Sequence, residues 1–159
     1  MCGFCGFTGD IADRENIIIG MMNKIIHRGP DSAGTHSDED VTMGFRRLSI
    51  IGLEDGSQPM YNEDGSIVIC FNGEIYNYQP IKEMLIEKGH VFKSHADTEV
   101  LIHLYEEKGE EMLNDLRGMF AFAIYDMKNK KLFAARDFFG IKPFYYGVFN
   151  NHMLFGSEI

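Results

Sequence analysis

Cysteine stands at position 2, directly behind the initiator methionine, in the run Met1-Cys2-Gly3-Phe4-Cys5-Gly6-Phe7. A small residue at this position permits removal of the methionine. Removal would leave one residue carrying both a thiol and a free α-amine. The amine titrates near about 8 and the thiol near about 8.5, so at neutral pH the amine can take the thiol's proton, directly or through a water. That is a self-contained nucleophile and general base. The alternative is a buried cysteine acting only as a small hydrophobe. Cys2 and Cys5 also form a CxxC, the spacing of a redox pair or of half a zinc site. Redox pairs of this kind sit at helix N-termini, whereas Gly6-Phe7-Thr8-Gly9-Asp10 opens no helix. In a strand, residues three apart face opposite ways, so the two sulfurs would diverge. No second CxxC follows, and Cys70, inside an apolar run, reads as core.

Three further stretches could complete a site. Asn72-Gly73, at the end of an apolar run, offers a side-chain amide next to a backbone N–H, and two such donors aimed at one oxygen make an oxyanion hole. A plain hairpin turn is the competing reading, but a helical segment follows rather than a second alternating strand. Arg46-Arg47 interrupts an apolar strand. An inward-facing arginine needs an anion, either a bound carboxylate held by both its nitrogens or an internal acid. Asp97, in His95-Ala96-Asp97-Thr98-Glu99, could cap a helix or hold a ligand ammonium with the same carboxylate. His27 could serve acid–base or metal chemistry, or answer the last carbonyls of a helix.

The elements that must position these residues can be read from periodicity. Residues 2–8 read as a short strand. Residues 13–27 read as a helix capped by Asp13, with Ile18, Met21, Met22, Ile25 and Ile26 on one stripe. Gly29 and Pro30 stop it. Ser32–Asp40 holds a short strand or loop, residues 41–50 are strand-like, and 52–59 form a loop. Ser66–Phe71 is a buried strand. Helices follow from about Asn77 to Lys88, with Gly89 as the stop, and from Asp97 or Thr98 to Gly109. Phe120, Phe122 and Ile124 alternate with Ala121, Ala123 and Tyr125, a strand with two buried faces. Hairpins are expected across Asp126–Lys131 and across Asn150-Asn151. Strands buried on both faces require a layer on each side, which suggests two packed sheets with helices outside.

The chain has 159 residues, enough for one domain and too few for two ordinary ones. Its net charge of −9 and lack of a basic stripe argue against binding a nucleic-acid backbone. No run reaches the roughly 18 apolar residues of a membrane span, and no charged segment precedes an apolar run at the start as in a secretory signal. A cytoplasmic location is therefore expected. Three cysteines, an odd number, argue against a disulfide framework. The stop after Gly156-Ser157-Glu158-Ile159, with no cap or polar tail, suggests an N-terminal piece of a longer protein.

Taken in order, Met1-Cys2-Gly3-Phe4, His27-Arg28-Gly29-Pro30-Asp31, Arg47-Leu48-Ser49-Ile50, Asn72-Gly73-Glu74-Ile75-Tyr76-Asn77, Gly118-Met119-Phe120-Ala121-Phe122-Ala123 and Arg136-Asp137 with Gly140-Ile141-Lys142-Pro143 form a set. The chain resembles the class II glutamine amidotransferase domain of glutamine-hydrolysing asparagine synthetases, over essentially its whole length. The resemblance implies an N-terminal-nucleophile hydrolase fold of the α+β class, a four-layer αββα sandwich of two mostly antiparallel sheets. It implies that Cys2 attacks the side-chain amide of glutamine with its own α-amine as base. Asn72 and Gly73 would hold the oxyanion. Arg47 would clamp the α-carboxylate, and Asp97, helped by Glu74, the α-ammonium. Leu48 and groups around Ile50 and Ile51 would line the pocket, with His27 and Arg28 in the site wall. Cys5 stands where the family more often has an apolar residue and receives no role. No cofactor is implied in this domain. ATP and magnesium would belong to a C-terminal synthetase domain that receives the ammonia and forms asparagine from aspartate. Homodimerisation is left open. The alternative readings are a related amide-forming ligase and a non-catalytic interaction or regulatory module.

Overall fold

A computed structural model of the chain describes residues 1–48 and 56–159. In chain order the regular elements are β1 (Gly3–Thr8), α1 (Arg14–Lys24), β2 (Ser32–Ser37), β3 (Val41–Arg47), β4 (Met60–Tyr61), β5 (Ile67–Ile75), α2 (Tyr78–Glu87), α3 (Asp97–Lys108), β6 (Gly118–Asp126), β7 (Lys131–Arg136), β8 (Tyr145–Phe149) and β9 (His152–Gly156). One antiparallel sheet has the order β2-β3-β1-β9-β8, the other β4-β5-β6-β7.

Side-chain alternation assigns each strand two faces and thereby makes four layers. From β1, Phe4 turns inward to meet Phe45, Val68, Cys70, Ala121, Ala123 and Phe155 between the sheets. Cys5 and Phe7 turn outward onto Ile18, Met22 and Ile25 of the α1 region. Gly44 lies on that outer face, where a Cβ would come within 2.6 Å of Met22, so glycine lets α1 dock closely. On the second sheet, Ile69, Phe71, Phe120, Phe122 and Ile124 turn away from the first and pack on Leu85, Leu101 and Leu104 of α2 and α3. The order α1, sheet, sheet, α2 with α3 is the αββα sandwich expected above, and the alternation of residues 120–125 is the strand with two buried faces.

Several local expectations are corrected. The first helix ends at Lys24 and passes into a 3-10 turn, Ile26–Arg28, so Ile26 leaves the apolar stripe and is exposed. Asp13 occupies the N-cap position in the left-handed region, φ 60°, and makes no capping bond. Its Oδ1 instead accepts from Asn16 Nδ2 at 2.5 Å. The Ser66–Phe71 strand does not stop at Asn72-Gly73. β5 continues to Ile75, with Gly73 opposite Phe120 and Ile75 opposite Gly118. The Asn150-Asn151 hairpin has φ of 48° and 64° at its two central residues, as a type I′ turn requires.

In the loop before β8, Asp137 accepts backbone N–H bonds from Phe120, Phe139, Ile141 and Lys142 at 2.9–3.2 Å. Burial alone would raise its pKa, but these four donors hold it below the usual carboxylate range. Beyond this loop, β8 forms the sheet edge with all five residues exposed. Among the described residues, no helix is long and apolar enough to cross a membrane.

Leu101 is fully buried between α3 and the second sheet. Leu101→Ala should cost about 2–5 kcal/mol by lost transfer energy and an unfilled cavity. A fall in the thermal midpoint of less than about 2 °C would contradict the packing described.

Candidate active site

Cys2 precedes β1 and shares the inward face of Phe4. Its Sγ receives the Leu48 N–H at 3.4 Å and lies 3.7 Å from the Leu48 carbonyl oxygen, to which the thiol can donate. Leu48 thus acts through its backbone, and an N–H aimed at sulfur complements negative charge developing there. The Cys2 carbonyl accepts from Arg28 Nε at 3.0 Å, while Arg28 also pairs with Glu158 at 2.9 Å. Arg28 is more than wall. It fixes the backbone of the residue that carries the thiol. His27 turns to Glu158 at 3.0 Å on the exposed side. The buried Lys142 donates to Met1 Sδ at 3.0 Å.

Cys5 lies across the strand from Cys2, and both are free thiols. Burial pushes the Cys5 thiol up to about 12, only partly countered by the charge of Arg46. The CxxC spacing therefore brings no sulfur pair together, because three strand positions reverse the face.

The two arginines separate in the same way. Arg46 turns outward to the end of α1, donating to Met22 O at 3.2 Å and Asn23 Oδ1 at 2.7 Å. Arg47 falls on the inward parity of Met43 and Phe45. A methyl group on Gly56 would sit 3.6 Å from both the Arg47 guanidinium and the Ala96 side chain. The arginine and the start of α3 therefore border the same space.

β5 supplies the rest. Val68 and Cys70 face inward, so Asn72 does too. Asn72 is buried, and none of the described residues accepts from its Nδ2. An orphaned buried donor costs about 1–3 kcal/mol and calls for an explanation. Along the strand's other edge, Ile67, Phe71 and Ile75 direct their N–H groups to Asn62 Oδ1, Gln58 Oε1 and Asp97 Oδ2 at 3.0, 2.6 and 2.8 Å. By the same alternation the Gly73 N–H faces this edge, between Gln58 and Asp97. The extended course of β5 thus presents two adjacent donors without a turn.

Asp97 begins α3 and ties it to β5 through Ile75. Burial pushes its carboxyl up to about 6. The Ile75 bond opposes this, and the charge of Glu74 adds to it. A half-buried acid beside a second carboxylate is a site for a cation. Glu74 lies at the exposed mouth of the sandwich. Ile50 and Ile51 lie outside the described residues. Arg28 and Gln58 were underrated in the sequence. Their signal is a backbone contact made by a long polar side chain, which residue spacing does not reveal. Among the described residues, the His, Cys, Asp and Glu side chains gathered at metal-ligating distance lie elsewhere, at Glu63, His90 and His103.

Comparison with known proteins shows the family and the fold. Residues 1–159 match the family described as glutamine amidotransferase domain. Asparagine synthetase [glutamine-hydrolyzing] 1 of Bacillus subtilis (strain 168) is 49% identical over 163 residues, covering 99% of this chain and 26% of that protein. Asparagine synthetase [glutamine-hydrolyzing] 2 of Arabidopsis thaliana is 44% identical over 163 residues, covering 100% of this chain and 28% of that protein. The chain thus spans about a quarter of the length of these relatives. Among solved structures, the glutamine phosphoribosylpyrophosphate amidotransferase of B. subtilis superposes with a TM-score of 0.82 over 99% of this chain and 42% of that one, at 22% identity. At that identity the likeness establishes a common fold. With the family matched from end to end, the chain belongs to the glutamine amidotransferase domain family.

Proposed function

We propose that the chain hydrolyses glutamine to glutamate and ammonia through a Cys2 thioester. The observation that carries this reading is the buried Asn72 amide, unanswered among the described residues and turned into the same inter-sheet space as Cys2. Once Met1 is removed, the Cys2 α-amine takes the thiol proton and Sγ attacks the side-chain amide carbon. The amide oxygen becomes an oxyanion received by Asn72 Nδ2 and the Gly73 N–H. The tetrahedral adduct collapses, the C–N bond breaks, and the α-ammonium returns its proton to the departing ammonia. Water, deprotonated by the same amine, then attacks the thioester and releases glutamate and the thiol. Arg47 holds the substrate α-carboxylate, Asp97 and Glu74 its α-ammonium, and the Leu48 backbone steadies the sulfur. Leu48, Ile50 and Ile51 border the substrate.

No cofactor enters these steps. The relatives' names and their greater length support a larger reading, in which ammonia passes to a synthetase domain that uses ATP and magnesium to form asparagine from aspartate, in the cytoplasm. The exposed β8 edge and the neighbouring Phe138 and Phe139 offer such a domain an apolar face.

Chain of verified mass lacking Met1 should release ammonia from glutamine, whereas Cys2→Ala should release none while keeping its circular dichroism spectrum. Turnover in Cys2→Ala would overturn the mechanism. Asn72→Ala should lower kcat by about 10²–10³ without lowering the thermal midpoint, because it also removes an orphaned donor. An effect confined to KM would assign Asn72 to ground-state binding instead.

The acidity of Asp97 sets a pH dependence. Its folded pKa is raised to about 6, and a ligand ammonium favours the charged carboxylate. Glutamine affinity is therefore full above this value and falls as pH drops through it. The KM for glutamine should rise below about pH 6, and this inflection should vanish in Asp97→Asn. A KM independent of pH between 5 and 7.5 in the unsubstituted chain would argue against the ammonium contact.

A further inference from the structure

Away from the Cys2 site, the β4–β5 turn, the segment after α2 and the second half of α3 meet around two histidines. We propose that Glu63, His90, His103 and Glu106 form a binding site for a divalent transition metal of the zinc type.

His103 is 1% exposed, and its ring lies 4.8 Å from that of His90. Both imidazoles bring Nδ1 to one carboxylate oxygen, Glu106 Oε2, at 2.9 Å from His103 and 3.7 Å from His90. Glu63 Oε1 lies 3.8 Å from His103 Nδ1, and donor atoms of Glu63, His90 and His103 all fall within 4.8 Å of one another. Tetrahedral bonds of about 2.0–2.1 Å put neighbouring donors about 3.3 Å apart. The separations here straddle that value. Glu63 is exposed and His90 half-buried, so these two side chains have room to turn toward a bound ion.

The outer nitrogens carry the second part of the argument. Histidines that bind a metal usually donate their other N–H to a carboxylate, which fixes the tautomer. His90 Nε2 lies 3.1 Å from Glu107 Oε1, and His103 Nε2 lies 3.8 Å from Glu99 Oε1 with no nearer partner. Protons on both Nε2 atoms leave both Nδ1 lone pairs facing Glu106 and Glu63. In that tautomer a bound cation would bridge the opposed acceptors; in the other, His103 Nδ1–H donates to Glu106 Oε2 at 2.9 Å. Asn62 Nδ2 already donates to Glu106 Oε1 at 2.8 Å, which leaves Oε2 for the metal. Lys88 pairs with Glu107, and Glu99 is occupied by the Lys93 and Ser94 N–H groups and the Ser94 hydroxyl. Two imidazoles with two carboxylates suit zinc, cobalt or nickel better than magnesium or calcium. The bound ion would tie α3 to the β4–β5 turn and to the α2–α3 connection.

Untagged full-length chain carrying Cys2→Ala, which removes a competing half-buried thiol, would be titrated with cobalt(II) and with zinc. The expected result is one saturable site per chain, the absorption of four-coordinate cobalt, displacement by zinc, and a rise in thermal midpoint of about 5–10 °C at a hundredfold excess over Kd. His90→Ala and Glu63→Gln, which alter no fully buried residue, should each weaken binding at least tenfold. An absence of saturable binding, or binding unchanged by both substitutions, would overturn the proposal. The histidines would then form only a hydrogen-bonded network with the carboxylates.

Discussion

The antiparallel register of β1 against β3, with Gly3 opposite Arg46 and Phe4 opposite Phe45, decides which layer receives the Cys2 sulfur. Sheet side chains repeat every two residues, so a slip of one position would turn Cys2 out toward α1 and carry Cys5 inward. The register is held from both faces. Phe4 and Phe45 fill the space between the sheets, where β6 contributes the small Ala121 and Ala123 together with Tyr125. On the outer face, Gly44 admits α1 against Cys5 and Phe7. The same pairing carries β3 to the point where the Leu48 backbone meets the thiol. The side of the sheet on which the Cys2 thiol lies is therefore a property of sheet packing, and Arg28 and the Leu48 backbone then fix it locally.

Many buried polar groups of the interior are answered: Asp137 by four backbone donors, Glu99 by three, and the Phe71 backbone on both sides by Gln58. At the site, the Asn72 amide has no partner among the described residues and Asp97 resists ionisation. In the proposed reaction glutamine would relieve both mismatches, its oxyanion at one and its ammonium at the other. The apolar contact between the sheets and against α2 and α3 supplies the stability that tolerates them.

Much of this was legible because strand alternation is a strong signal when one sequence supplies two buried faces. Residues 120–125 and the third helix, with Gly109 at its end, could be read directly. The reach of β5 past Phe71 was not legible, because Asn-Gly is chemically suited to a turn and nothing in the sequence says that β6 offers nine residues of pairing partner. Asp13 has the chemistry of a cap but sits in the left-handed region, a conformation set by how the chain leaves β1. Arg46 and Arg47 could be separated by parity, but the choice of inward residue awaited the sheet order. The roles of Arg28 and Gln58 were out of reach because each answers a backbone group distant in sequence.

β1 lies inside its sheet, between β3 and β9, and Phe4 N–H is satisfied by Ser157, 153 residues further along. On a ribosome adding about 5–20 residues per second, roughly 8–30 s separate the emergence of these two partners. During that interval one edge of β1 has no neighbour and the N-terminus is unconfined. β1, which directly follows Cys2, precedes every other described strand in the chain and is among the last to be enclosed. Order of synthesis thus leaves a period in which the initiator methionine can be trimmed before folding draws Cys2 into the sandwich.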